Sequence, residues 1–274
     1  MSPEQLSEER RRGRIAGVAA IVSGFAFVGG AIWYQSVNAD APGGKNEDAD
    51  VLRYFDRHGG EYLGSAILQA FGVLLLVVVA VHLYRAAKDR NPDQSVVVLV
   101  AGVLGPLAFA ATTLIRAVAY TILADDFASR AVQTEPVADD LLETPVLYVA
   151  YGLGLVAVLA LGFWLVKGSL DAMRVGLLTR PMGVLGIAVV PAQVIPDGFV
   201  LFFLWLVALG FLFLGRWPGG VPPAWTSGRA EPWMSAGDAP PVDEEPRKTD
   251  PGGGRNGEVD ALGPGVRKPG PEAD

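Results

Sequence analysis

YLGSAILQAFGVLLLVVVAVHLY, Tyr62 to Tyr84, contains no Asp, Glu, Lys or Arg. Its apolar residues are nearly continuous. They do not alternate as in a half-buried strand, nor do they mark one face as in a surface helix. A bilayer core about 30 Å thick requires about twenty helical residues, and this stretch supplies them. It is read as a transmembrane helix, and the chain as all-α.

Working outward, the same signal recurs on both sides. IAGVAAIVSGFAFVGGAIWY covers 15–34, and further apolar runs cover 96–124, 146–166, 182–195 and 199–215. The expected architecture is a polytopic six-helix transmembrane bundle over 15–215. A basic N-terminus, 1–14, precedes it, and a disordered tail, 216–274, follows. The 182–195 segment reaches only about 21 Å at 1.5 Å per residue. The turn Pro196-Asp197-Gly198 is therefore expected to lie below the membrane surface.

The chain has 274 residues, 51% of them hydrophobic, with no cysteine and a net charge of −7. Without cysteine there is no disulfide, thiolate nucleophile or cysteine-held metal centre. The acids lie in loops and tail, and no basic, aromatic groove points to nucleic acid. No nucleophile with a nearby base, paired intramembrane carboxylates or clustered metal ligands are legible. His58 with Glu61 offers only two ligands, and one membrane histidine, His82, cannot supply a pair of haem axial ligands. A non-enzymatic chain without metal or cofactor is expected.

Basic residues set the orientation. Arg10, Arg11, Arg12 and Arg14 precede the first span. Arg85, Lys88 and Arg90 follow the second, Lys167, Arg174 and Arg180 follow the fourth, and Arg216 follows the sixth. The alternate loops are acidic. Both termini are placed in the cytoplasm and the bundle in the cell membrane. The first apolar run is longer than a signal-peptide core, which has about 7–15 residues, so it reads as an uncleaved anchor. Trp33, Tyr34, Tyr62, Tyr148, Tyr151 and Trp164 fall at span ends, where such rings favour headgroup depth. Small residues four apart (Gly13 and Gly17, Ala20 and Gly24, Ala66 and Ala70, Ala101 and Gly105) allow close helix crossings. In the first acidic loop, Val51, Tyr54, Phe55 and His58 share one helical face. They predict a short interfacial helix stopped by Gly59-Gly60.

DVLRYFDRHGGEYLGSAILQAFG (50–72), the basic turn LYRAAKDR (83–90) and RIAGVAAIVSGFAFVGG (14–30) resemble a group of uncharacterised bacterial multi-pass membrane proteins, known as domains of unknown function. The resemblance covers roughly the first half. It implies a membrane architecture and carries no catalytic signature.

ATTLIRAVAY, 111–120, places Arg116 near the end of the third span. Two readings stand. Arg116 snorkels to the headgroups, or it turns inward with Thr112, Thr113 and Tyr120, which share its helical face. An inward arginine requires a partner. Asp197 on the sunken turn, with Gln193 beside it, is the first candidate and Glu61 the second. The tail is rich in Pro, Gly and charge and is expected to stay disordered, as a docking segment for a protein partner. Trp217, Trp225 and Trp233 in it read as membrane-surface anchors. Function is read as structural, regulatory or assembly-related. The alternative is a small-solute transporter or permease component with an outward polar pocket around Arg116. The lack of an inverted repeat counts against the alternative.

Overall fold

The computed structural model describes residues 2–38, 48–193, 195, 198–218 and 220–231. Among them are eight helices and no strand: α1 Pro3–Asn38, α2 Asp48–Arg90, α3 Val96–Ser129, α4 Glu135–Leu142, α5 Pro145–Arg174, α6 Arg180–Ala192, α7 Phe199–Phe213 and α8 Pro223–Ser227. The starts and stops follow local chemistry. The Ser95 hydroxyl accepts from Val97 N–H at the head of α3, and Thr179 caps α6 in the same way. Gly176 and Gly215 take φ of 77° and 70° just past α5 and α7. There Leu177 N–H donates to the Ala172 carbonyl and Arg216 N–H to the Phe211 carbonyl, the Schellman ending that favours glycine.

Four helices, α1, α2, α3 and α5, are long and apolar enough to cross a membrane. The 13 residues of α6 and 15 of α7 make shorter rods, about 20 and 22 Å at 1.5 Å per residue. Six full spans are therefore not what is seen. There are four long rods and the shorter, mutually packed α6 and α7, and Pro196 and Asp197, where a turn is expected, lie outside the described residues.

In chain order α1 packs on α2, α2 on α3, α3 on α5, α5 on α6 and α6 on α7, and α7 returns to α1. The interior of this ring is filled by Phe27, Leu76, Trp164, Trp205 and Leu206. Trp164 and Trp205 meet edge to face at 5.8 Å. Glycines set the closest crossings. A Cβ on Gly72 would lie 2.6 Å from the backbone nitrogen of Phe27, and one on Gly105 2.8 Å from that of Leu161. Gly17 and Gly210 face one another between α1 and α7. At the Gly72 crossing the Ser23 hydroxyl donates to the Gly72 carbonyl at 2.7 Å, fully buried. The outward faces remain apolar: Val149, Leu155 and Leu159 on α5 are each more than 60% exposed. A row of this kind calls for an apolar surrounding.

Two expectations are corrected here. Residues 51–58 do not form a separate surface helix, because α2 runs unbroken through Gly59-Gly60. Two helical glycines cost about 1 kcal/mol each. Leu52, Phe55 and Tyr62 offset this by packing with Ala117, Ala124 and Phe127 of α3 and Ala138 of α4 in a second core. The second acidic loop, between α3 and α5, holds α4, whose Glu135 carboxylate accepts the free N–H groups of Asp48 and Ala49 and so caps α2.

The tail is not disordered from Arg216 onward. Residues up to Glu231 fold back onto the end of the bundle that carries the N-terminus, here termed the proximal end, and Ala224 is fully buried. Arg90 organises this contact. Its Nη1 and Nη2 donate to both carboxylate oxygens of Glu9, at 2.8 and 3.3 Å. Nε and Nη2 donate to the Ala224 carbonyl, at 3.0 and 2.7 Å, and Nη1 donates to that of Ala86. The Trp225 ring lies 5.4 Å from the guanidinium carbon, stacks on His82 and donates its indole N–H to the Leu177 carbonyl. Trp225 is thus a packing residue of the bundle. Trp233 and the rest of the tail lie outside the described residues.

Candidate functional site: a distal cavity around Arg116

At the opposite, distal end the second half of α3 faces α1, α2 and α5. Thr112 is buried and its hydroxyl donates to the Ala150 carbonyl, which fixes α3 against α5. One turn on, Arg116 is half-buried and its guanidinium carbon lies 5.2 Å from the centre of the Tyr151 ring, a cation–π arrangement. Tyr120, a further turn on, sets its hydroxyl 3.1 Å from that of Tyr151. Thr112, Arg116 and Tyr120 of the stripe expected from the sequence thus each contact α5.

Thr112, Thr113 and Arg116 border a cavity of about 440 Å³, and Tyr120 lies outside its lining. Tyr34, Tyr62, Gln69, Thr112, Thr113, Arg116 and Tyr151 form its polar lining, and Phe109 and Val158 are among its apolar members. Gln69 is anchored to the Gly30 carbonyl at 3.2 Å. Tyr34 and Tyr62 pack at 5.6 Å, and Phe55 joins Tyr62 to Tyr120. A ring of tyrosines so braced leaves the guanidinium as the one full charge among the described residues of the lining.

Arg116 Nε is buried with no hydrogen-bond partner, and among the described residues no carboxylate lies within ion-pair distance of Arg116. The partners expected for it fare differently. Glu61 and Gln193 are exposed and do not line the cavity. Asp197 lies outside the described residues. Sequence reading missed Tyr34, Tyr62 and Tyr151 as site residues because span-end tyrosines read equally well as interfacial anchors. Gln69 left a signal, a lone amide inside an apolar run.

No metal set was legible, yet the fold brings the carboxylates of Asp48, Glu135 and Asp139 within 4.8 Å of one another. Burial, then the hydrogen bond and charge of Asp139 and the charge of Glu135, push the Asp48 carboxyl above the ordinary range. The capping of α2 by Glu135 gives this cluster a structural role.

Residues 15–217 match the family model described as a domain of unknown function, DUF4386. The chain belongs to this family. The DUF4386 match reaches well past the first half, on which the resemblance rested, and takes in both Arg116 and the α6–α7 hairpin. It stops short of Glu9, Ala224 and Trp225 in the proximal clamp. No curated protein and no solved structure matches the chain.

Proposed function

We propose that this DUF4386 member is a non-enzymatic, multi-pass protein of the cell membrane. Both termini are cytoplasmic, and its distal cavity opens outward to receive a small anion that carries an apolar portion. One observation carries the reading: a half-buried arginine over a 440 Å³ cavity, with no carboxylate partner among the described residues. Taking a charge out of water without a partner is costly, and an incoming carboxylate or phosphate group would remove that cost. Phe109 and Val158 would meet the apolar part. The basic residues 10–14, 85–90, 167–180 and 216 support the orientation, because they gather at the proximal end. The cavity favours the pocket reading over a purely structural or assembly role. The tail beyond 231 remains the candidate docking segment for a protein partner.

The test is thermal. Hexanoate added to the purified full chain should raise its Tm, and hexyltrimethylammonium, of like length and opposite charge, should not. Arg116→Gln should remove the hexanoate response. It should leave the ligand-free stability within about 1 kcal/mol, because no described carboxylate is orphaned by it. A loss of about 3–5 kcal/mol without ligand would instead reveal a buried ion pair and contradict the open pocket.

A further inference from the structure

The proximal end holds a separate cavity of about 320 Å³ between α1, the end of α7 and the returning segment. Its floor is apolar, formed by Leu212, Phe213, Val221 and Trp225, and its mouth carries Arg10 and Arg14. These arginines stand one turn apart on α1, both exposed, with no ion-pair partner among the described residues. Among the described residues the lining contains one acid, Glu9, whose charge is met by Arg90. The mouth is therefore net cationic. A larger groove on the other side of α1 differs in this respect: with Glu9 met by Arg90, Glu8 and Asp89 balance Arg12 and Arg85 there.

His82 supplies an independent sign of a ligand. It is 93% buried, borders both this cavity and the larger groove, and among the described residues its Nε2 has no hydrogen-bond partner. A Cβ on Gly13 of the cavity wall would lie 3.3 Å from that nitrogen, so the absence of a side chain at Gly13 leaves Nε2 room. The ring is held by Phe213 at 4.9 Å and Trp225 at 5.6 Å. A buried polar atom without a partner is expensive, and at a site with two cations an acceptor oxygen would satisfy it.

From this geometry we infer that the proximal cavity binds the headgroup of an anionic phospholipid. The phosphodiester sits between Arg10 and Arg14, His82 Nε2–H donates to it, and an acyl chain lies over Leu212 and Val221. The apolar floor selects a lipid over free phosphate, and the arginines stand immediately before the apolar run that begins at Ile15. Basic pockets of this kind on the cytoplasmic side take anionic headgroups. The site is distinct from the Arg116 cavity and requires only that the proximal end lie at a bilayer surface.

Purified full-length protein would be exposed to mixed micelles with equal phosphatidylglycerol and phosphatidylcholine, and the retained lipid counted by native mass spectrometry. Phosphatidylglycerol should be retained in preference. Arg10→Gln with Arg14→Gln should lower its retention about thirtyfold, at roughly one surface charge's attraction per arginine. His82→Phe, which keeps the ring stack, should lower it by a smaller factor. The charge-matched pair Arg11→Gln with Arg229→Gln, outside the cavity, should leave retention unchanged. The inference is overturned if that control loses as much as the cavity variant, or if the cavity variant keeps wild-type retention. It is also overturned if glycerol phosphate binds at the arginines while the two lipids are retained equally.

Discussion

Arg90→Ala is expected to lower the stability of the folded chain by about 3–5 kcal/mol, the cost of leaving one member of a buried ion pair alone. The Arg90 side chain has no solvent exposure and that of Glu9 has 9%. Removal of the guanidinium strands the Glu9 carboxylate and leaves the Ala224 carbonyl without both of its Arg90 donors. It also removes the cation from the face of Trp225. Arg90→Lys should recover little, because an ammonium cannot reproduce a planar fork directed at two carbonyls and a carboxylate. Glu9→Gln with Arg90→Met should recover part of the loss, since no charge is then left unpaired. Near-ultraviolet circular dichroism during detergent titration reads these differences, because Trp225 reports on the clamp. If Arg90→Ala melts like the wild type, the folded-back segment is not held as described.

The second large effect is expected at Gly72. A Cβ there would meet only backbone of α1, 2.6 Å from Phe27 nitrogen and 3.0 Å from the Ser23 carbonyl oxygen. No rotamer relieves such contacts, so Gly72→Val must push α1 and α2 apart. That breaks the buried Ser23 hydrogen bond and opens the core around Phe27 and Leu76. Overpacking in a tight interior costs about 1–3 kcal/mol, and the lost hydrogen bond about 1 kcal/mol more. Gly60→Ala is the control. Nothing lies within 4 Å of a Cβ at Gly60, and alanine favours the helix by about 1 kcal/mol. Thermal melts should move in opposite directions for the two variants. A neutral Gly72→Val would mean that this crossing is looser than described.

Much of the architecture is legible in the chain because long uncharged runs admit few alternatives. The Tyr62–Tyr84 run fixes the middle of α2, and the small residues near Gly17, Gly24 and Gly105 mark real crossings. What was illegible depends on tertiary contact. Gly59-Gly60 look like a helix stop until Phe55 and Tyr62 are seen to share a core with α3. Arg90 reads as one more positive charge of a cytoplasmic turn, and Glu9 as one acid in a solvated run; only the fold brings them together. The proline-rich segment after Arg216 has too few aliphatic residues to predict order, yet Ala224 and Trp225 find a preformed surface.

The candidate site divides along the same line. Thr112, Thr113, Arg116 and Tyr120 lie on one helix, so their common face follows from helical spacing. Tyr34, Gln69 and Tyr151 come from three other helices, and no spacing within one segment announces them. The expected acidic partners came from a depth argument. Depth alone does not fix which way a side chain faces, and Glu61 is exposed and does not line the cavity.

The most direct test of the anion-accepting cavity uses the native absence of cysteine. Thr113→Cys places a single thiol in the lining beside Arg116. Its reaction rates with anionic and cationic methanethiosulfonates of equal size would be measured in the reconstituted protein and normalised to a free thiol. The anionic reagent should be favoured about tenfold, as for a cleft of one charge sign, and adding Arg116→Gln should abolish the preference. Equal rates, or a preference that survives Arg116→Gln, would contradict the account.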